Sequence, residues 1–80
     1  MSIQENRLEA LDDEALARFL TEEASRRRER LSVGERAGGW VAETYQTDGL
    51  SSGRSVMFGA AGPDRRSAML GLAEKLIANR

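Results

Sequence analysis

The residues able to do chemistry in this 80-residue chain are arginines, carboxylates and a few hydroxyls, because it contains neither histidine nor cysteine. A Ser/His triad, a His-ligated metal, a thiolate zinc site, a cysteine nucleophile and a disulfide are all unavailable. With the usual neutral-pH acid/base also missing, the residues predict no catalytic group, no metal site and no cofactor. What remains is charge. Arg26, Arg27, Arg28 and Arg30 form the densest cationic cluster, and four such guanidinium groups suit phosphate, with an affinity that falls steeply as salt rises. The same arginines fit a structural task better, complementing the C-terminal dipole of a helix and pairing with Glu22, Glu23 and Glu29. Arg65 and Arg66 would join the cluster if two helices brought them near it.

Asp12, Asp13, Glu14, Glu22 and Glu23 make up the opposing acidic end. They read as a solvated helix face or as a surface meeting a basic partner protein through complementary charge. The oxygen-rich loop that calcium needs, and the substrate phosphates that magnesium shares, are not visible. Ser51, Ser52 and Gly53 match neither a Walker A loop nor a dinucleotide fingerprint, because the chain continues into a strand where those motifs open a helix. The segment GAAGPDRR joins glycines to a helix start and to Arg65/Arg66, an anion-binding arrangement that helix capping also explains. Tyr45, Gln46, Arg54 and Ser55 lie beside a turn and are the hairpin residues presented to a ligand. Trp40, the single tryptophan, reads as a core residue first and as an interface anchor second.

These residues must be positioned by few elements. Leu8, Leu11, Ala15, Leu16, Phe19 and Leu20 recur at spacings of three and four, so residues 8–31 are expected as one helix, with Asp12 or Asp13 as a candidate cap. Beyond Leu20 the apolar stripe fades, and Glu22/Arg26 and Glu23/Arg27 pairs at i,i+4 support a solvated helical end. Gly34, Gly38 and Gly39 break the pattern, so residues 32–39 are expected as a connector. GWVAETYQT alternates as a strand with Trp40, Ala42 and Thr44 on one face and Val41, Glu43 and Tyr45 on the other. The turn DGLSSG and a second run around Val56, Met57 and Phe58 complete a hairpin over residues 40–60. Pro63 then starts a helix over residues 63–79 whose stripe of Met69, Leu72, Ala73 and Leu76 is flanked by Leu70 and Ile77.

The expected fold is α+β in the order α-β-β-α, with the C-terminal helix packed on a two-stranded hairpin, as one small domain over residues 1–80 and with residues 1–7 disordered. Hydrophobic residues make up 40% and charged residues 31%, which suits a soluble domain near the size where one core barely suffices. The wide stripe of the last helix needs a second surface, either the first helix or a second copy, so a homodimer is expected, its exposed strand edge paired across it. The polar start MSIQENRLEALDDE lacks the pattern of a secretory signal, no apolar run approaches a membrane span, and a cytoplasmic location follows.

From Gly39 to Ile77 the order GGW, a strand, a DG turn, a strand ending in Phe58 and DRRSAM opening a helix resembles the arm-binding and AP2-like DNA-binding domains of integrases. The resemblance implies a sheet laid in the DNA major groove with the helix behind it. It would place Gln46, Arg54 and Ser55 towards DNA and Trp40, Phe58, Ala68 and Leu72 in the core. The order of helix, strands and helix, with DRRSAMLGLAEKL opening the last element, also resembles a double-stranded-RNA-binding domain. In size and charge the chain resembles the small accessory proteins of phages and plasmids, which act by occupying a host protein's surface.

Two functions follow as expectations. The first is a non-catalytic regulatory module that binds and modulates a partner protein, with Asp12, Asp13, Glu22, Glu23, Tyr45 and Gln46 as partner-binding residues. The second is a DNA- or RNA-binding regulatory protein using Arg26, Arg27, Arg28, Arg30, Arg54, Arg65 and Arg66. The formal net charge of −1 favours the first, since it offers no broad basic field.

Overall fold

The computed structural model describes residues 8–47 and 53–80. Helix α1 (Asp13–Arg26) is followed by strands β1 (Arg30–Arg36), β2 (Gly39–Thr47) and β3 (Arg54–Gly62) and by helix α2 (Arg65–Ala78). The strands form one antiparallel sheet in the order β1-β2-β3. The protein is α+β, but its order is α-β-β-β-α and the expected two-stranded hairpin is part of a three-stranded sheet. The expectations for residues 1–7 and for the turn residues Asp48, Gly49, Ser51 and Ser52 lie outside the described residues.

The expected helix over residues 8–31 is interrupted at one end and cut short at the other. Residues 8–10 are helical, but Asp12 is extended and its Oδ1 accepts the Ala15 N–H at 2.8 Å, so a new helix starts at Asp13. At the far end Arg28 takes a left-handed backbone, with φ 61°. The Glu29 N–H then reaches the Ala24 carbonyl at 2.8 Å and the Arg28 N–H reaches the Ser25 carbonyl at 3.0 Å. These are the two bonds of a Schellman closure, and they release the chain five residues earlier than the periodicity predicts.

The released segment is not a connector. Arg30–Arg36 pairs with Gly39–Tyr45 along its whole length, and Leu31 and Val33 pack against the helical layer. Ala37 (φ 48°) and Gly38 (φ 83°) supply the two positive φ angles of a tight two-residue hairpin turn between Arg36 and Gly39. Strand β2 alternates as expected, with Ala42 and Thr44 buried. Its pairing with β3 shifts between Thr44, opposite Phe58, and Tyr45, opposite Val56, so Met57 is the extra residue of a β-bulge.

Helix α2 begins at Arg65 rather than Pro63, because the extended Asp64 caps it by accepting the Ser67 N–H at 2.7 Å. Both helices cover the same face of the sheet and run parallel: Arg66 meets Asp13 at their N-terminal ends, and Arg80 meets Glu23 at their C-terminal ends. Leu16 and Leu20 of α1, Ala68, Met69, Leu72, Ala73 and Leu76 of α2, and Ala42 of β2 form the buried core, with Leu8 closing one end. Trp40 and Phe58 pack against it. The wide stripe of α2 is thus shared between the sheet and α1. Close approach is built in at Gly62, where an added Cβ would lie 2.7 Å from the Ser67 Cβ and 2.9 Å from the Ala68 nitrogen. Among the described residues no helix is long and apolar enough to cross a membrane.

Candidate interaction surface

Because both helices lie on one side, the other side of the sheet has no layer over it among the described residues. Register and alternation fix what it carries. Arg30, Ser32, Gly34 and Arg36 of β1 share this face with Val41, Glu43 and Tyr45 of β2 and with Val56, Gly59 and Ala61 of β3. At one end the Arg54 guanidinium stacks on the Tyr45 ring at 4.6 Å from its centroid, a contact that fixes the arginine over an apolar platform. At the other end Arg36 bonds to Glu43 at 3.1 Å. The middle row is Ser32, Glu43 and Gly59, and next to it Gly34, Val41 and Ala61 form a flat apolar row. Val56 is 52% exposed and the neighbouring Met57 44%, the two large hydrophobic residues most open to solvent among those described.

The residues named from the sequence do not converge. Asp12 is the cap of α1, and Asp13 holds Arg66 at 3.0 Å and Arg65 at 3.9 Å. Arg66 also donates to the Glu9 carbonyl at 2.7 Å. Glu22 is exposed near the far end of α1, about 15 Å along the axis from Asp12 at 1.5 Å per residue. Glu23 is buried and accepts from Arg80 Nε at 3.2 Å and Nη2 at 2.9 Å, with Arg26 at 3.3 Å. The hydrogen bonds from Arg80 hold its carboxyl below the ordinary glutamate value against the opposing effect of burial, with the charges of Arg80, Arg26 and Arg27 adding to the fall. Only Tyr45 of the proposed partner-binding set lies on the open face; Gln46 is exposed at the end of β2.

The arginines divide similarly. Arg27 turns away from its expected partner Glu23, donates to the Leu76 and Asn79 carbonyls at 2.8 and 3.2 Å, and sits 5.2 Å from the Phe58 ring centroid. It closes the C-terminus of α2. Since the helices are parallel, Arg65 and Arg66 lie at the opposite end from Arg26, Arg27 and Arg28 and do not extend that cluster. The anion nest at GAAGPDRR holds the protein's own anion, the Asp64 carboxylate, whose pKa is lowered first by the Ser67 backbone N–H. Arg30 and Arg54 lie on the same open face, one on each side of Tyr45. Arg36, Glu43 and Val41 complete the surface and were hidden by reading β1 as a connector; the alternation of Leu31 and Val33 was the available signal.

The open face displays Arg30, Arg36 and Arg54 against Glu43, whereas the exposed side of α1 mixes Asp13, Glu14 and Glu22 with Arg18 and Arg26. No family model, curated protein or solved structure matches the chain.

Proposed function

We propose that the chain is a non-catalytic regulatory module that acts in the cytoplasm, binding and modulating a partner protein through the uncovered face of its sheet. The observation that carries this reading is the composition of that face: a Tyr45–Arg54 stack, Val41, Val56 and the adjoining Met57, rimmed by Arg30 and Arg36. Tyrosine, arginine and methionine are the side chains enriched at protein interfaces, and a stacked Tyr/Arg pair is a rigid anchor of the type that dominates binding energy. The arginine rim selects a partner whose docking surface is acidic around an apolar centre. Occupation of a host protein's surface, as small accessory proteins of phages and plasmids do, is the mode that a chain of this size and composition supports.

Paired variants test the reading. Tyr45→Ala and Arg54→Glu should each abolish retention of a stoichiometric protein from a host lysate, whereas Glu14→Lys and Glu22→Lys on the helical layer should leave it intact, all with unchanged far-UV circular dichroism. Loss on the helical side alone would contradict it.

A second reading rests on one specific feature. Three arginines on a three-stranded sheet backed by a helix are what the AP2-like resemblance asks of a DNA-binding face. Glu43, in the middle of that face, opposes close approach to a phosphate-lined groove and neutralises Arg36, which ranks this reading second. Duplex DNA titrated at low and moderate salt separates the two. Binding that weakens steeply with salt and disappears in Arg30→Glu/Arg54→Glu would establish the nucleic-acid reading.

A further inference from the structure

The turn from α1 into β1 leaves a cavity of about 380 Å³ between the C-terminal end of the helix and the start of the strand. Thr21, Ala24 and Ser25 line it from α1, and Glu29, Arg30 and Leu31 from the turn and the strand, with Tyr45 beside them. Its two charged residues are consecutive and opposite in sign. Yet among the described residues neither has a hydrogen-bond or ion-pair partner, and the Glu29 Oε1 is buried without a donor. Elsewhere on the helical side such charges are matched, Glu23 by Arg80 and Arg27 by the carbonyls that end α2. An orphaned buried carboxylate oxygen is costly to a fold and marks a place where a donor from outside fits. The Thr21 hydroxyl donates to the Ala17 carbonyl at 2.9 Å, so towards the cavity it can only accept, whereas the Ser25 hydroxyl can do both. Ala24 and Leu31 add an apolar wall.

We propose that this cavity binds a free α-amino acid as its zwitterion. The charge pattern selects the ligand class. A phosphate or a carboxylate alone would be drawn to Arg30 but repelled by Glu29, and an ammonium alone would meet the reverse. A ligand whose own two charges are separated by a single carbon answers both, its ammonium donating to Glu29 and to the Thr21 Oγ1 and its carboxylate accepting from Arg30 and the Ser25 hydroxyl. The end of a polypeptide brings only one of these charges, so a free amino acid fits where a chain terminus does not. An apolar side chain on the ligand then rests on Ala24 and Leu31, and the volume, at the small end of the range for ligand sites, is enough for a large one. Arg30 and Tyr45 also belong to the open face of the sheet, which puts the ligand at the rim of the proposed docking surface. The binding itself does not depend on that docking.

Titration of the full chain with free amino acids, followed by NMR of the backbone amides, decides it. The probes are L-leucine and L-phenylalanine, with N-acetyl-leucine, which lacks the ammonium, and leucine amide, which lacks the carboxylate. The free amino acids at millimolar concentration should shift the Ser25, Glu29 and Leu31 amide signals saturably. Each blocked analogue should bind about tenfold or more weakly than L-leucine, because one charge of the cavity is left unanswered. Glu29→Gln and Arg30→Gln should each weaken L-leucine binding to the same degree with unchanged circular dichroism, while Glu35→Gln, on the same strand and outside the cavity, should leave it intact. No saturable shift with either amino acid overturns the inference, as does a blocked analogue that binds as well as L-leucine. Either result would leave the open-face reading standing, since Tyr45→Ala and Arg54→Glu test that reading separately.

Discussion

Arg28 and Ala37 hold left-handed backbone without being glycine, and each does so because the next element requires it. Arg28 closes α1 and Ala37 opens the turn into β2. The left-handed region costs a residue with a Cβ about 1 kcal/mol relative to glycine. Arg28→Gly, and Ala37→Asn, which makes an Asn-Gly turn, should therefore each raise stability by about 0.5–1 kcal/mol. The urea midpoint should rise with an unchanged slope. Thr44 makes the opposite case: it is fully buried in β2 with an unpartnered Oγ1. Thr44→Val, of similar shape, should be neutral or stabilising by about 1 kcal/mol in the same assay.

Glu23 is a buried carboxylate whose ionisation supports the fold. Because its bonds to Arg80 favour the charged form, its contribution is fully present above a glutamate's ordinary 4.5 and is lost as pH falls through the lower folded value. Glu23→Gln should cost about 1–2 kcal/mol at neutral pH, a figure held down by the solvent exposure of Arg80. The gap in thermal midpoint between variant and wild type should close as pH falls below 4.5; a constant gap would mean that the ion pair contributes nothing.

At the scale of elements, the two helices and the second and third strands were legible because their signals are local. Pro63 and Asp64 mark the start of α2, the stripe from Met69 to Leu76 marks its buried face, and Trp40, Ala42 and Thr44 mark the inner face of β2. Strand β1 was not legible, for two physical reasons. Its predecessor ends on an arginine rather than a glycine, so nothing in the sequence announces the Schellman closure at Arg28. Its own seven residues carry three charges and a glycine, and only Leu31 and Val33 show the two-residue period. The open face was lost with it, since Arg30 and Arg36 become neighbours of Tyr45 and Glu43 only through the pairing of β1 with β2. Packing between elements makes its own prediction at Gly62, where β3 meets the first turn of α2. Gly62→Ala should destabilise by about 1–3 kcal/mol, seen as a lower urea midpoint, because Ser67 and the Ala68 backbone leave no room for a Cβ.

At the scale of the molecule, one layer of helices on one face of a sheet separates structural charge from available charge. On the helical side Asp13, Glu23, Arg27, Arg66 and Arg80 tie α1 to α2 and close their ends, so the charge clusters most conspicuous in the sequence are largely occupied by the fold. On the sheet side Arg30 and Arg54 flank Tyr45 beside the exposed Val56 and Met57, and that side is where the proposed partner docks. The measurement that tests this most directly is site-specific photo-crosslinking in cells, with a benzophenone side chain at Ser32, midway along β1 on the open face, or at Arg18, exposed on α1. The account predicts a discrete adduct heavier than two copies of the chain from Ser32 and none from Arg18. An adduct from Arg18 with none from Ser32 would contradict it.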